Sequence, residues 1–375
     1  MYLSKINASM IRYSPFEFPK TGKKAPNRIA LAPMTNSQSN DDGSLSDDEY
    51  NWLIRRAKEG FGIIITCAAH VSLDGQGWKG ELGIFEDNLL PGLTKLASGI
   101  KEHGSLGIVQ VYHGGARSPE SVTGKQPWSA QAHEFKAGDK TVAVREGSES
   151  EIEKTIARFV EAAKRAEKAG FDGVELHGAH GYLISQFISK SINQRKDKWG
   201  GSFENRIRFA RTILTETKKA VSNDFIVGIR ISPEEKGIFL GIDFDESIEL
   251  AKILAEDGAD YIHISPWDSF KHPDKYPNTK TIIEYMRAAV PKETPLMVAG
   301  EIWSGEDAEK AIELGSEFIA LGKAAIGMPD WPTISKASNF KPLKPPYSVE
   351  HLQKADLGEV FIDYMKRWKG FVKID

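Results

Sequence analysis

The chain reads as an α/β protein of the (β/α)8 barrel class, on three observations. Eight short apolar runs alternate with longer amphipathic stretches along its length. The joints Ala169-Gly-Phe-Asp172, Asp257-Gly-Ala-Asp260 and Leu314-Gly-Ser-Glu317 recur between a helix and the next strand, where glycine supplies the left-handed C-cap. No glycine-rich dinucleotide fingerprint opens a helix after a strand, which disfavours two doubly wound halves. Strict βα alternation implies parallel strands with right-handed crossovers, and eight units imply closure.

Taken in order, Arg28–Ala32 is the first strand, closed by Pro33. Ser46-Asp-Asp-Glu49 resembles a capping box and predicts a helix to about Glu59. Phe61–Thr66 is strand two, Leu90–His103 a helix and Leu106–Tyr112 strand three. Residues 113–148 form a long loop; such loops inside a compact domain are usually functional. Glu149–Ala169 is a helix with Ile152, Ile156, Phe159, Val160 and Ala163 on one face. Phe171–His177 is strand four, followed by a second long loop to about Gly201 and a helix from Phe203 to Val221. Strand five is Phe225–Ile231, and a helix follows over Asp245–Asp257. Strand six is Asp260–Ser265; after it a third irregular stretch reaches Asn278 and a helix covers Thr279–Val290. Pro295–Ala299 is strand seven, Ser304–Leu314 a helix and Glu317–Leu321 strand eight. The expected organisation is one barrel domain over 1–375, with 333–375 an extension packed on it.

Composition narrows the function. With 40% hydrophobic and 27% charged residues the chain is globular. A net charge of −3 gives no electrostatic case for nucleic acid or an anionic membrane surface. A single cysteine, Cys67, leaves no internal disulfide and no cysteine-ligated cluster. The N-terminal residues lack an apolar signal region, and no run approaches the ~20 apolar residues that span a bilayer. The expected location is the cytoplasm, with no membrane partner.

In a barrel, chemistry sits at the strand C-termini. Strand four delivers His177, His180 and Tyr182 within six residues. These side chains can hydrogen-bond an oxygen and supply a proton. A His-x-x-His pair is also compatible with a satisfied structural pair or with zinc, for which Glu175 and His113 are the nearest further ligands. Strand alternation puts Glu175 on the same side as His177, inside the barrel, where a carboxylate requires a partner. The expectation for it is a structural hydrogen-bond network with a neighbouring strand.

At these strand ends the sequence resembles the Old Yellow Enzyme family of FMN-dependent ene-reductases. The motifs, in order, are Leu31-Ala-Pro-Met-Thr35, Gln110 within Val-Gln-Val-Tyr-His, and Glu175-Leu-His-Gly-Ala-His-Gly-Tyr-Leu183. Asn193-Gln-Arg-Lys-Asp-Lys-Trp-Gly-Gly-Ser-Phe-Glu-Asn-Arg206 and Leu321-Gly-Lys323 follow. The likeness runs from about Arg28 to Pro332. It implies a non-covalent, tightly bound FMN across the barrel mouth, reduced by NADH or NADPH. Ala32, Pro33, Met34 and Thr35 would line the isoalloxazine, with Thr35 donating to O4. Ala68 would pack against the ring, and Gln110 would bond its pyrimidine edge. Arg230 would place positive charge beside N1. Taken singly, Gln110 and Arg230 are compatible with paired polar residues of the interior. Gly300, Ala320, Gly322 and Lys323 would hold the phosphate. Here the sequence departs from the family, which carries Arg where this chain has Lys323, and lysine gives up the bidentate fork.

His177, beside the flavin, and His180 would grip a substrate carbonyl, and Tyr182 would protonate the α-carbon. The substrate implied is a small electron-poor alkene, reduced by a ping-pong hydride transfer. The competing reading is a metal- or phosphate-dependent barrel lyase or hydrolase using His177 and His180. Trp267 and Phe270 after strand six are candidates for an aromatic wall, or for ordinary loop packing; Ser37 and Arg117 border the same space. In the Asn193–Arg206 segment, Asp197 and Arg206 are expected to tie the loop to the following helix. The amphipathic Trp368-Lys-Gly-Phe-Val372 is a surface for the barrel itself or for a second copy in a homo-oligomer.

Overall fold

A computed structural model describes residues 11–234 and 241–374; the N-terminal residues read for a signal region lie outside them. Eight parallel strands close into one barrel in sequence order. They are β1 (Ile29–Leu31), β2 (Ile63–His70), β3 (Leu106–Tyr112), β4 (Gly173–Gly178), β5 (Ile226–Ile231), β6 (Tyr261–Ile264), β7 (Leu296–Val298) and β8 (Phe318–Leu321). Every residue of every one of these strands is buried, which is why they appear in the sequence as near-continuous apolar runs. Helices Asp47–Lys58, Leu90–Glu102, Glu149–Ala169, Phe203–Ala220, Phe244–Glu256, Ile282–Ala289 and Gly305–Glu313 follow β1 to β7, and a short helix, Lys323–Gly327, follows β8.

The helix boundaries have local causes. Ser148 and Ser304 form reciprocal capping boxes with Glu151 and Asp307. Gly170, Gly258 and Gly315 all have positive φ at the joints picked out in the sequence. At Ser46 the expected box is only half made. The Ser46 side chain accepts from the Glu49 amide, but the Glu49 carboxylate turns inward to Asn36, Ser39 and Cys67. Asp197 likewise pairs with Arg195, whereas Arg206 reaches Glu246 and the Gly201 carbonyl.

The barrel interior is filled in layers. Phe18, Ala30, Ile63, Ile108, Met297 and Phe318 belong to one buried cluster at its lower end. A two-stranded hairpin, Phe16–Glu17 with Lys24–Ala25, closes this end. Its Phe18 stacks on Phe318 at 5.3 Å. The loop after β3 is not irregular. Trp128–Ser129, His133–Ala137 and Lys140–Glu146 form a three-stranded sheet within it. Near the C-terminus, Phe361 meets Trp52 edge-on at 5.4 Å, and Arg56 donates to the Ala355 carbonyl at 2.8 Å. Among the described residues, no helix is long and apolar enough to cross a membrane.

Candidate active site

The C-terminal end of the barrel opens into two adjoining cavities of about 500 and 470 Å3. They share Pro33, Met34, His180, Tyr182, Arg230 and Lys323 among their walls. The first extends past Ala32, Ala320, Gly322 and Gly300 to Trp267; the second passes Thr35, Ala68, Gln110 and His177 to the C-terminal helix, Glu359–Lys366. All the residues expected to hold the cofactor, with His180, Tyr182, Trp267 and Arg117, thus line this space; Ser37 and Phe270 are not among its walls, and Phe270 packs against the core with Lys310 4.8 Å from its ring centre.

Local backbone explains the arrangement at β4. After Gly178 the chain reverses through His180 (φ 59°) and Gly181 (φ 68°), two successive left-handed residues. The reversal folds three rings together. His177 lies 5.2 Å from His180 and 4.9 Å from Tyr182 between ring centres, both edge-on. Tyr112 also meets the Tyr182 ring edge-on at 4.9 Å. The Ala179 amide donates to His177 Nδ1 at 3.4 Å, which leaves Nε2–H as that ring's donor. His180 Nε2 lies 2.9 Å from Ser265 Oγ; that oxygen accepts from Arg230 at 2.9 Å and keeps its own hydrogen to donate to Nε2, in the tautomer that leaves His180 Nδ1–H as the ring's donor.

The two histidines are neutral. Burial, then the neighbouring His180, Arg230 and Arg117, hold His177 well below its ordinary value. His180 has an open edge, yet desolvation by the cavity walls and the same two guanidiniums hold it low as well. For Tyr182, burial raises the hydroxyl above its ordinary range, Arg117 pulls it back and Glu81 raises it. The set can therefore offer neutral N–H donors and a protonated phenol at neutral pH.

A bulge in β2 separates the pairs Ile65↔Ile108 and Ala68↔Gln110 and re-aims Ala68 at the cavity. Arg230 sits in register between His177 and His263. Its Nε is buried without a protein partner, as a guanidinium awaiting a ligand acceptor would be. Gly300 (φ 148°) could carry no side chain, since a Cβ would lie 2.5 Å from the Pro266 carbonyl. Lys323 is paired with Glu301 at 2.8 Å. A flat polycyclic group with a phosphate tail fits this shape and donor set.

Sequence reasoning missed the walls supplied by Tyr364, Met365 and Trp303. It read Trp368 only as a packing residue, whereas Trp368 lines both cavities. Trp267 stands at the rim and is 60% exposed. Glu175 and His113 do not join the histidine pair as ligands. Among the described residues, no group of three His, Cys, Asp or Glu is placed to hold a metal.

Fold and site together define a flavin-dependent oxidoreductase barrel of the Old Yellow Enzyme type. The chain belongs to the NADH:flavin oxidoreductase / NADH oxidase family, whose model matches residues 13–339. It is similar to a probable NADH-dependent flavin oxidoreductase, YqiG, of Bacillus subtilis, with 38% identity over 365 residues covering 96% of this chain and 97% of that protein. It is 38% identical over 333 residues to an NADH:fumarate oxidoreductase of Klebsiella pneumoniae; the match covers 84% of this chain but only 35% of that longer protein. Among solved structures, morphinone reductase in complex with tetrahydroNAD superposes with a TM-score of 0.79 at 27% identity, covering 93% of this chain and 95% of that one. The protein is an oxidoreductase that uses FMN and a reduced nicotinamide and acts on small molecules.

Proposed function

We propose that the protein reduces activated C=C bonds, such as those of α,β-unsaturated carbonyl compounds, in a ping-pong cycle. FMN, when bound, supplies the hydride relay between NAD(P)H and the alkene. Ala32, Pro33, Met34, Thr35 and Ala68 would hold its ring system, with Gln110 at the pyrimidine edge. His177 and Arg230 would lie beside it, and Gly300, Ala320, Gly322 and Lys323 would take the phosphate.

The remaining steps belong to the side chains. His177 and His180 bind the substrate carbonyl through neutral N–H groups and stabilise the oxygen as negative charge develops on it. Tyr182 delivers the proton to the α-carbon. Trp267 and the C-terminal Trp368 bound the space into which the alkene substituents extend. The functional unit inferred is one barrel, with residues 333–375 packed on it. The observation that carries this reading is the His177, His180 and Tyr182 ring cluster, which shares one cavity with Gln110 and Arg230.

The test is spectroscopic. Purified protein should be yellow, lose its flavin absorbance on anaerobic addition of NADH or NADPH, and regain it when 2-cyclohexenone is added and consumed. A colourless, zinc-containing sample would refute the reading.

A further inference from the structure

Directly beneath the cavity, four polar side chains meet where a barrel interior would ordinarily be aliphatic. Glu175 is fully buried. One carboxylate oxygen, Oε1, accepts from Gln110 Nε2 at 2.8 Å. The other, Oε2, accepts from the Tyr261 hydroxyl at 2.9 Å and from His263 Nδ1 at 2.8 Å. Register brings them together: Glu175 pairs with Gln110 across β3–β4 and with Gly228 across β4–β5, and Gly228 pairs with Tyr261. Gly228 is obligatory, because a Cβ there would lie 2.2 Å from the Tyr261 ring. A strand position is thus left empty so that a hydroxyl can reach this carboxylate.

The two ends of a glutamine amide have nearly the same shape but opposite hydrogen-bonding character. An ionised carboxylate only accepts, so Glu175 fixes the Gln110 NH2 group downward and leaves its carbonyl oxygen for the cavity. Glu175 is ionised: burial pushes its carboxyl up, but His263, Arg230 and Gln110 outweigh burial and hold it below the ordinary value. His263 is neutral, held low by burial and by Arg230 against the pull of Glu175.

We propose that Glu175 is a positioning residue for the flavin: it sets the orientation of Gln110 and offsets the charge of Arg230, so that it lowers the affinity of the bound cofactor for electrons. The proposal rests on the placement of FMN against Gln110 and Arg230. Tyr261 and His263 attenuate the carboxylate's charge by donating to it. Glu175 itself reaches the cofactor only through its neighbours.

Two substitutions of opposite expected sign test this in the FMN-loaded protein, by redox titration of the bound flavin. Glu175→Gln keeps the shape and removes the charge, so the reduction potential rises. Tyr261→Phe keeps the charge and removes a donor, so the potential falls. A merely structural role predicts no such opposition. Potentials that stay unchanged in both folded variants, or move in the same direction, overturn the proposal. If Glu175→Gln does not fold, Tyr261→Phe alone decides, because only a fall in potential supports it. Arg230→Gln separates this inference from the flavin placement. A protein that binds FMN and lowers its potential in Arg230→Gln, yet ignores Glu175→Gln and Tyr261→Phe, retains the flavin placement and loses only this inference. A protein that takes up no FMN refutes the placement itself.

Discussion

The guanidinium of Arg117 lies 4.4 Å from the centre of the Tyr182 ring and is anchored by a 2.6 Å hydrogen bond to the His180 carbonyl. A cation held on an aromatic face favours the phenolate that remains after proton donation. It acts against burial, which raises the Tyr182 hydroxyl. Arg117→Met should slow flavin reoxidation by an alkene roughly fivefold, corresponding to about 1 kcal/mol of lost cation–π interaction. The donor must be protonated, and loss of the cation raises its pKa, so the alkaline limb of the reoxidation profile moves to higher pH. Stopped-flow profiles of the two proteins make the comparison; a limb that moves down or stays put contradicts this role.

Lys323 and Glu301 form a half-exposed ion pair at the end of the cavity proposed for the phosphate. Opposite effects on cofactor binding follow from their charges. Lys323→Ala should weaken FMN binding by a few-fold to about tenfold, the range for a charge-assisted hydrogen bond discounted for solvent. Glu301→Gln should tighten it, because a carboxylate competes with phosphate for the same ammonium. Titration of apoprotein by quenching of FMN fluorescence measures both. Unchanged affinity in Lys323→Ala would remove that residue from the phosphate site.

His70, at the end of β2, is buried against Phe85 at 4.9 Å between ring centres. Burial lowers its pKa to about 4. A base whose folded pKa is depressed binds protons more readily in the unfolded chain, so stability is complete above the unfolded value near 6.5 and falls as pH drops toward 4. The loss attributable to this residue is on the order of 3 kcal/mol by pH 4. His177 and His180 act in the same direction. Urea midpoints at pH 7 and pH 4.5 should differ less in a His70→Asn variant than in the native protein; an unchanged difference would exclude His70 as a contributor.

Much of the barrel was legible because parallel strands buried on both faces leave continuous apolar runs, and because helix caps such as Ser148 and Gly170 are local. The excursion at 128–146 was not recognised, although His133–Ala137 and Lys140–Glu146 flank a Gly138-Asp139 turn. These two hairpin strands are largely exposed or half-buried and short of large apolar residues. At the site, the residues of the β4 reversal were legible as a motif. Their approach was not, since it depends on the positive φ of His180. Glu175 was placed on the correct face by alternation, and its network with neighbouring strands is present. The identity of its partners needed barrel closure, which brings β6 to β4 through β5. Tyr364, on the helix Glu359–Lys366, and Trp368, just past its end, became cavity walls only through packing of this C-terminal segment, which no local signal encodes.

In the proposed cycle, proton donation to the alkene falls to Tyr182. This role is tested most directly by anaerobic stopped-flow measurement of both half-reactions in Tyr182→Phe. Bleaching of the flavin by NADH should proceed at close to the native rate. Recovery of absorbance with 2-cyclohexenone should slow by roughly 100- to 10,000-fold, the contribution of a positioned general acid. Equal losses in the two half-reactions, or native reoxidation in the variant, would contradict it.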